Sequence, residues 1–172
     1  MLSRRVSLVV AGLVLAGLTG CTPTPAPTPT PTGFASEDEA FAAAEELYRA
    51  HVADLNAYYA GDRDYDSEDY LSGVPLQDEQ NLLAQMDELD LKVDGELIVR
   101  SVDPQTATLT AGSAAITLIT CLDSSQTRIL DAEGNDVTPE REEVLPFDVE
   151  IATVDSSRLA IVSTTVNETH SC

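Results

Sequence analysis

Phe41, Ala44, Tyr48, Val52, Leu55 and Tyr59 recur at steps of three and four residues, the spacing of one face of an amphipathic helix. Ser36-Glu37-Asp38-Glu39 stands just before them in the Ser-x-x-Glu form of a capping box, where each side chain satisfies an orphan backbone N–H of the first turn. Gly61 is placed to end this helix. A second, shorter helix is expected from about Pro75 to Leu89, burying Leu82, Leu83, Met86 and Leu89. The period then shortens to two. Leu89, Leu91 and Val93 alternate with polar residues, Leu97 to Val102 continues after Gly95, and Ala115 to Leu122 is a β-branched, apolar run. Thr127 to Leu130 leads into a turn at Ala132-Glu133-Gly134-Asn135. Phe147, Val149 and Ile151 alternate with Asp148 and Glu150, and Leu159 to Val166 follows Ser156-Ser157. Residues 104–114 fit a strand or a long loop equally well. Helices followed by meandering strands predict the α+β class, with N-terminal helices packed on one face of an antiparallel sheet.

The chain opens differently. Arg4 and Arg5 form a positive n-region, Val6 to Leu18 a short apolar core, and Leu18-Thr19-Gly20-Cys21 closes it. The apolar run is too short for a spanning helix, which needs about 20 apolar residues. Its hydrophobic-small-small-Cys ending resembles the lipobox of bacterial lipoproteins. The resemblance implies that residues 1–20 are a signal peptide cleaved before Cys21, and that the Cys21 sulfur carries a diacylglycerol group. It also implies membrane attachment through Cys21 at the outer face of the cytoplasmic membrane. Two acyl chains hold a protein stably where one does so only marginally. Residues 21–33 then form a disordered stalk, with proline at 23, 25, 27, 29 and 31. Each proline fixes its own φ and extends the preceding residue. At about 3.1 Å per residue, residues 22–33 of this stalk reach roughly 37 Å. Residues 34–172 are read as a single domain, a length that suits one compact core.

The charge balance narrows the partners. The formal net charge is −21, and it becomes more negative once Arg4 and Arg5 leave with the leader. Such a surface repels nucleic acid, so no nucleic-acid partner is expected. Asp62, Asp64, Asp66, Glu68 and Asp69 form an acidic cluster, but the sixth and twelfth positions counted from Asp62 are Ser67 and Gly73. A calcium loop of the EF-hand type needs glycine and glutamate there, so a solvated acidic loop is expected and no metal. With Cys21 assigned to lipid, Cys121 and Cys172 remain as a pair, which in an oxidising compartment favours a disulfide. A metal site assisted by His51 or His170 is the alternative, without any ligand spacing to support it.

The run Ser36 to Tyr58, the segment Thr120 to Val137 and the cysteine near the C terminus resemble a group of lipoproteins common in actinobacteria. Those combine a lipobox, a Pro/Thr stalk and a small domain, and their element order is similar to the NTF2-like cone fold, which implies that the antiparallel sheet is curved. Many of them carry a tryptophan in the domain, whereas this chain has none. The anchor, the stalk and the lack of a catalytic constellation point to a non-catalytic binding or interaction module displayed on the membrane, with a protein or small molecule as partner. The alternative that the resemblance leaves open is an NTF2-like enzyme or small-ligand binder using the cone interior. In that alternative Tyr48, His51 and Tyr59 are the candidate pocket residues, against a plainer reading as core and core-edge side chains. No catalytic residue or cofactor is assigned, since the sequence holds no Gly-rich phosphate loop, no Gly-x-Ser-x-Gly elbow and no His-Glu-x-x-His.

Overall fold

Helix α1 spans Glu37–Tyr59 and begins as its sequence prescribes, with the Ser36 side chain accepting from the Glu39 N–H and the Glu39 carboxylate accepting from the Ala35 N–H. The computed structural model describes residues 33–155 and 158–172; the expected signal peptide, the lipidated Cys21 and nearly all of the stalk lie outside these residues. A 3-10 turn (Ser67–Asp69) and helix α2 (Val74–Glu88) follow α1. Strands β1 (Lys92–Asp94), β2 (Ile98–Thr110), β3 (Ser113–Asp123), β4 (Arg128–Leu130), β5 (Val144–Val154) and β6 (Arg158–Val166) complete the domain. The main sheet is antiparallel and open, in the order β2-β3-β5-β6, and β1 pairs with β4 in a small second sheet. The α+β arrangement, two helices packed on an antiparallel sheet, is the one that the sequence pattern predicts.

Alternation along β3 creates the core face. Ala114, Ile116, Leu118 and Thr120 are buried, because every second side chain of a strand points to the same side. The register sets Ile116 beside Ile151 and Leu118 beside Val149. Against them α1 packs Ala40, Ala44, Tyr48 and Val52. Ala40 and Ala44 have no exposed surface, so the first turns of α1 meet the sheet through methyl groups. Each of the large aliphatic side chains buried here is worth roughly 1.5–3 kcal/mol over leaving it in water.

Two segments depart from the sequence reading. Helix α2 forms where expected, but none of its residues is fully buried, and Leu82 and Leu89 are 50% and 63% exposed. Its half-buried stripe is Leu76, Glu79, Leu83 and Met86, a rotation from the expected face. The cause is location: α2 packs against the 3-10 turn and the edge strand β6, which cover less of it than a sheet face would. Residues 104–110 resolve as strand, continuing β2 through irregularities at Val99/Ser101 and Pro104/Thr106. Proline is tolerated there because β2 is an edge strand. The hairpin then closes through Ala111-Gly112, with Gly112 at φ 83°. The chain enters the domain beside this hairpin: a Cβ on Gly33 would lie 3.7 Å from the Gly112 nitrogen.

Cys121 and Cys172 form a disulfide with Cα atoms 5.7 Å apart, tying the last residue to β3. Asp123, at the end of the same strand, is buried and accepts from Arg100 Nη2 at 2.6 Å, Arg100 Nε at 2.9 Å and the Ser125 N–H at 2.8 Å. The Ser125 bonds first, then the Arg100 guanidinium, hold its carboxyl well below the usual carboxylate range, at about 2.

Two outcomes are expected. Replacing both Cys121 and Cys172 with serine, which opens a bridge across 51 residues of sequence, lowers stability by up to about 4 kcal/mol on the chain-entropy account, read by urea denaturation. Because the folded Asp123 titrates below its unfolded value near 3.9, its contribution is complete above about pH 4 and disappears as pH falls through about 2. Asp123→Asn therefore removes part of the stability difference between pH 5 and pH 2, measured by thermal melts across that range.

Candidate functional site

His51 lies one residue before Val52 on α1, at the flank of the buried stripe rather than within it. Its Nε2 meets Glu79 Oε2 on α2 at 2.9 Å, with both side chains about 12% exposed. The other Glu79 oxygen accepts from the Tyr65 hydroxyl. Tyr65 and Tyr70 flank the 3-10 turn, and their rings stack with centroids 6.2 Å apart and an interplanar angle of 13°. The His51 ring lies 5.6 Å from that of Tyr70, whose hydroxyl donates to Asp54 Oδ2 on the exposed side of α1. One histidine, two carboxylates and two tyrosines thus clamp α1, the 3-10 turn and α2 together.

The electrostatics follow from the contacts. Burial alone would raise Glu79, but the hydrogen bond and charge of His51 and the hydrogen bond from Tyr65 outweigh it and hold its carboxyl below the ordinary value. Burial first, then the bond to the Glu79 carboxylate, push the Tyr65 hydroxyl strongly upward. The bond to Asp54, helped by burial and by the charges of Asp54 and Asp69, raises Tyr70 to about 12. His51 Nδ1 is buried and has no hydrogen-bond partner. One imidazole nitrogen is committed to Glu79, and the other is sealed from solvent.

Beside this clamp runs an open cleft of about 520 Å³ between the start of α2 and strand β6. His51, Glu79, Leu71, Val74 and Asp78 line one side, and Val162 to Thr165 line the other. The three pocket residues expected from the sequence are not gathered here. Only His51 reaches the cleft. Tyr48 is 4% exposed in the core, where Thr120 Oγ1 donates to its hydroxyl at 3.0 Å and burial raises its pKa. Tyr59 sits near the end of α1, next to Tyr58 and lining hollows formed with Val93. Burial, with the charges of Glu79 and Tyr58, raises Tyr59 to about 12. The acidic cluster is used locally: Asp62 and Asp66 accept from the Asp64 and Glu68 N–H groups. Among the described residues no three His, Cys, Asp or Glu side chains converge as metal ligands.

Glu79, Tyr65 and the β6 edge are absent from the sequence reading. Glu79 had a legible signal, since Leu76, Glu79, Leu83 and Met86 follow helical spacing with one carboxylate on an otherwise apolar stripe. Nothing local marks Tyr65 as its partner, because that contact depends on how the 3-10 turn folds back.

No protein-family model matches this chain, and no curated protein does. Among solved structures, the crystal structure of the intermembrane-space region of the chloroplast protein ARC6 is similar, with a TM-score of 0.51 and 16% identity over 73% of this chain and 94% of that one. At that identity the likeness concerns the fold alone.

His51→Ala is expected to cost about 1–3 kcal/mol, the usual range for leaving a buried polar partner unsatisfied, as it leaves Glu79 Oε2 without its hydrogen-bond partner. Leu82→Ala, on the outer side of α2, stays within about 0.5 kcal/mol of the parent. Denaturant midpoints of the two variants provide the comparison.

Proposed function

We propose that this chain is a membrane-tethered, extracytoplasmic, non-catalytic binding module that receives its ligand in the cleft between α2 and β6. The observation that carries the reading is where space is found. The volume beneath α1 is filled by Tyr48, Val52, Ile116, Leu118, Val149 and Ile151, while open space lies outside the core, in a hollow of about 580 Å³ beside α1 and β1 and in the cleft at the sheet edge, which Leu71, Val74 and Val162 line with apolar groups. The tether rests on the leader, with its lipobox-like ending at Cys21 and the Pro/Thr stalk after it. Among the described residues no helix is long and apolar enough to cross a membrane. The NTF2-like cone is the finer reading of the architecture, supported by the long first helix and by irregularities in β2 and β6, since bulges bend strands.

The alternative, an NTF2-like enzyme working from the cone interior, draws on the His51–Glu79 contact. General acid–base work needs a group near neutrality within reach of the substrate proton. Glu79 is shifted the other way, and neither His51 nitrogen is free to face the cleft. The pair acts as a brace for the cleft wall.

Both parts of the reading are tested in cells. Cys21→Ala is expected to release the protein from the membrane fraction. A photo-cross-linking residue at Val74 is expected to give discrete adducts that the same residue at Thr108, on the opposite sheet edge, does not. Unaltered membrane retention removes the anchor, and equal or absent adducts at the two positions remove the cleft.

A further inference from the structure

The edge of β6 is half covered. Leu71 forms a parallel bridge with Ile161: the Ile161 N–H donates to the Tyr70 carbonyl at 2.9 Å, and the Ser72 N–H donates to the Ile161 carbonyl at 3.0 Å. A short piece of chain has thus already been added to the sheet as a fifth strand position. Gly73, at φ 69°, then turns the backbone away, and α2 starts at once with Pro75 in its first turn. Beyond Ile161 the edge of β6 has no backbone partner among the described residues. The Asn167 N–H returns to the Pro146 carbonyl on β5. Strand alternation therefore turns the N–H and C=O groups of Val166 and Thr164 outward, into the open. An unpaired edge of this kind is a template for another strand.

The surroundings state what such a strand carries. Val74 on one flank is 67% exposed and Val166 at the end of the edge is 50% exposed, which provides for apolar side chains. Asp78 lines the cleft and has no ion-pair or hydrogen-bond partner among the described residues, and the whole chain carries −21. A second copy would bring the same negative charge to the contact.

We infer that the open edge of β6, from Ser163 to Val166, takes an extended basic polypeptide segment as an added strand, with the side chains on its α2-facing side, every second residue, directed to Asp78. This rests on the binding-module reading and specifies its partner. Main-chain hydrogen bonds supply affinity in such additions, and side chains supply selection.

The test uses the purified full chain and a fluorescent ten-residue peptide of alternating lysine and valine. Controls are the glutamate–valine peptide and a lysine–valine peptide methylated on alternate backbone nitrogens. Saturable binding of the first peptide is expected, weakened at least tenfold by backbone methylation and absent for the acidic peptide. Thr164→Pro removes one outward N–H without touching the bonds to β5, and is expected to weaken binding at least tenfold with an unchanged melting temperature. Asp78→Lys, on α2 and outside the strand, is expected to weaken it similarly. Equal binding of the methylated peptide overturns strand addition in favour of charge alone. Self-association abolished by Thr164→Pro, without peptide binding, overturns it in favour of a second copy. Failure of every peptide while the Val74 adducts persist overturns the strand and leaves the cleft reading standing. Failure of both removes the two together.

Discussion

The seating of α1 on the main sheet, nearest to β2 and β3, is the contact on which the other elements depend. Its stripe narrows to Ala40 and Ala44 at one end and widens to Tyr48, Val52 and Leu55 at the other, so close approach and volume filling are achieved by one helix. Tyr48 fits this apolar layer because Thr120 satisfies its hydroxyl from the sheet, removing the cost of a buried unpaired polar group. Once α1 is fixed, His51 and Asp54 stand at set points on its flank, and Tyr70 and Glu79 are drawn to them. The cleft wall is thus a consequence of core packing rather than a separate construction.

Much of this was legible in the chain because it follows local periodicity. The capping box, the α1 stripe, the alternation of β5 and the apolar run of β3 each depend on residues a few positions apart. The disulfide was legible for another reason: with one cysteine claimed by the leader, only one pairing remained. What escaped depends on distant contacts. The face that α2 turns inward is chosen by β6 and the 3-10 turn, which lie far away in sequence or fold irregularly. Leu82 and Leu89 looked like core residues because apolarity alone does not say whether a neighbour covers them. Tyr48 looked like a pocket residue for the converse reason, since its partner Thr120 is 72 positions away.

The two ends of the sheet are not equivalent. Ala115, Ala152 and Ala160 stand in register toward one end, and Thr120, Phe147 and Val166 toward the other. Gly33 enters beside Gly112, at the alanine end. The uncovered part of β6 lies at the opposite end, about 15–20 Å further along the strands at roughly 3.3 Å per residue. The register of β3, β5 and β6 thus sets the separation between Gly33 and the uncovered edge, and keeps the two at opposite poles of the domain.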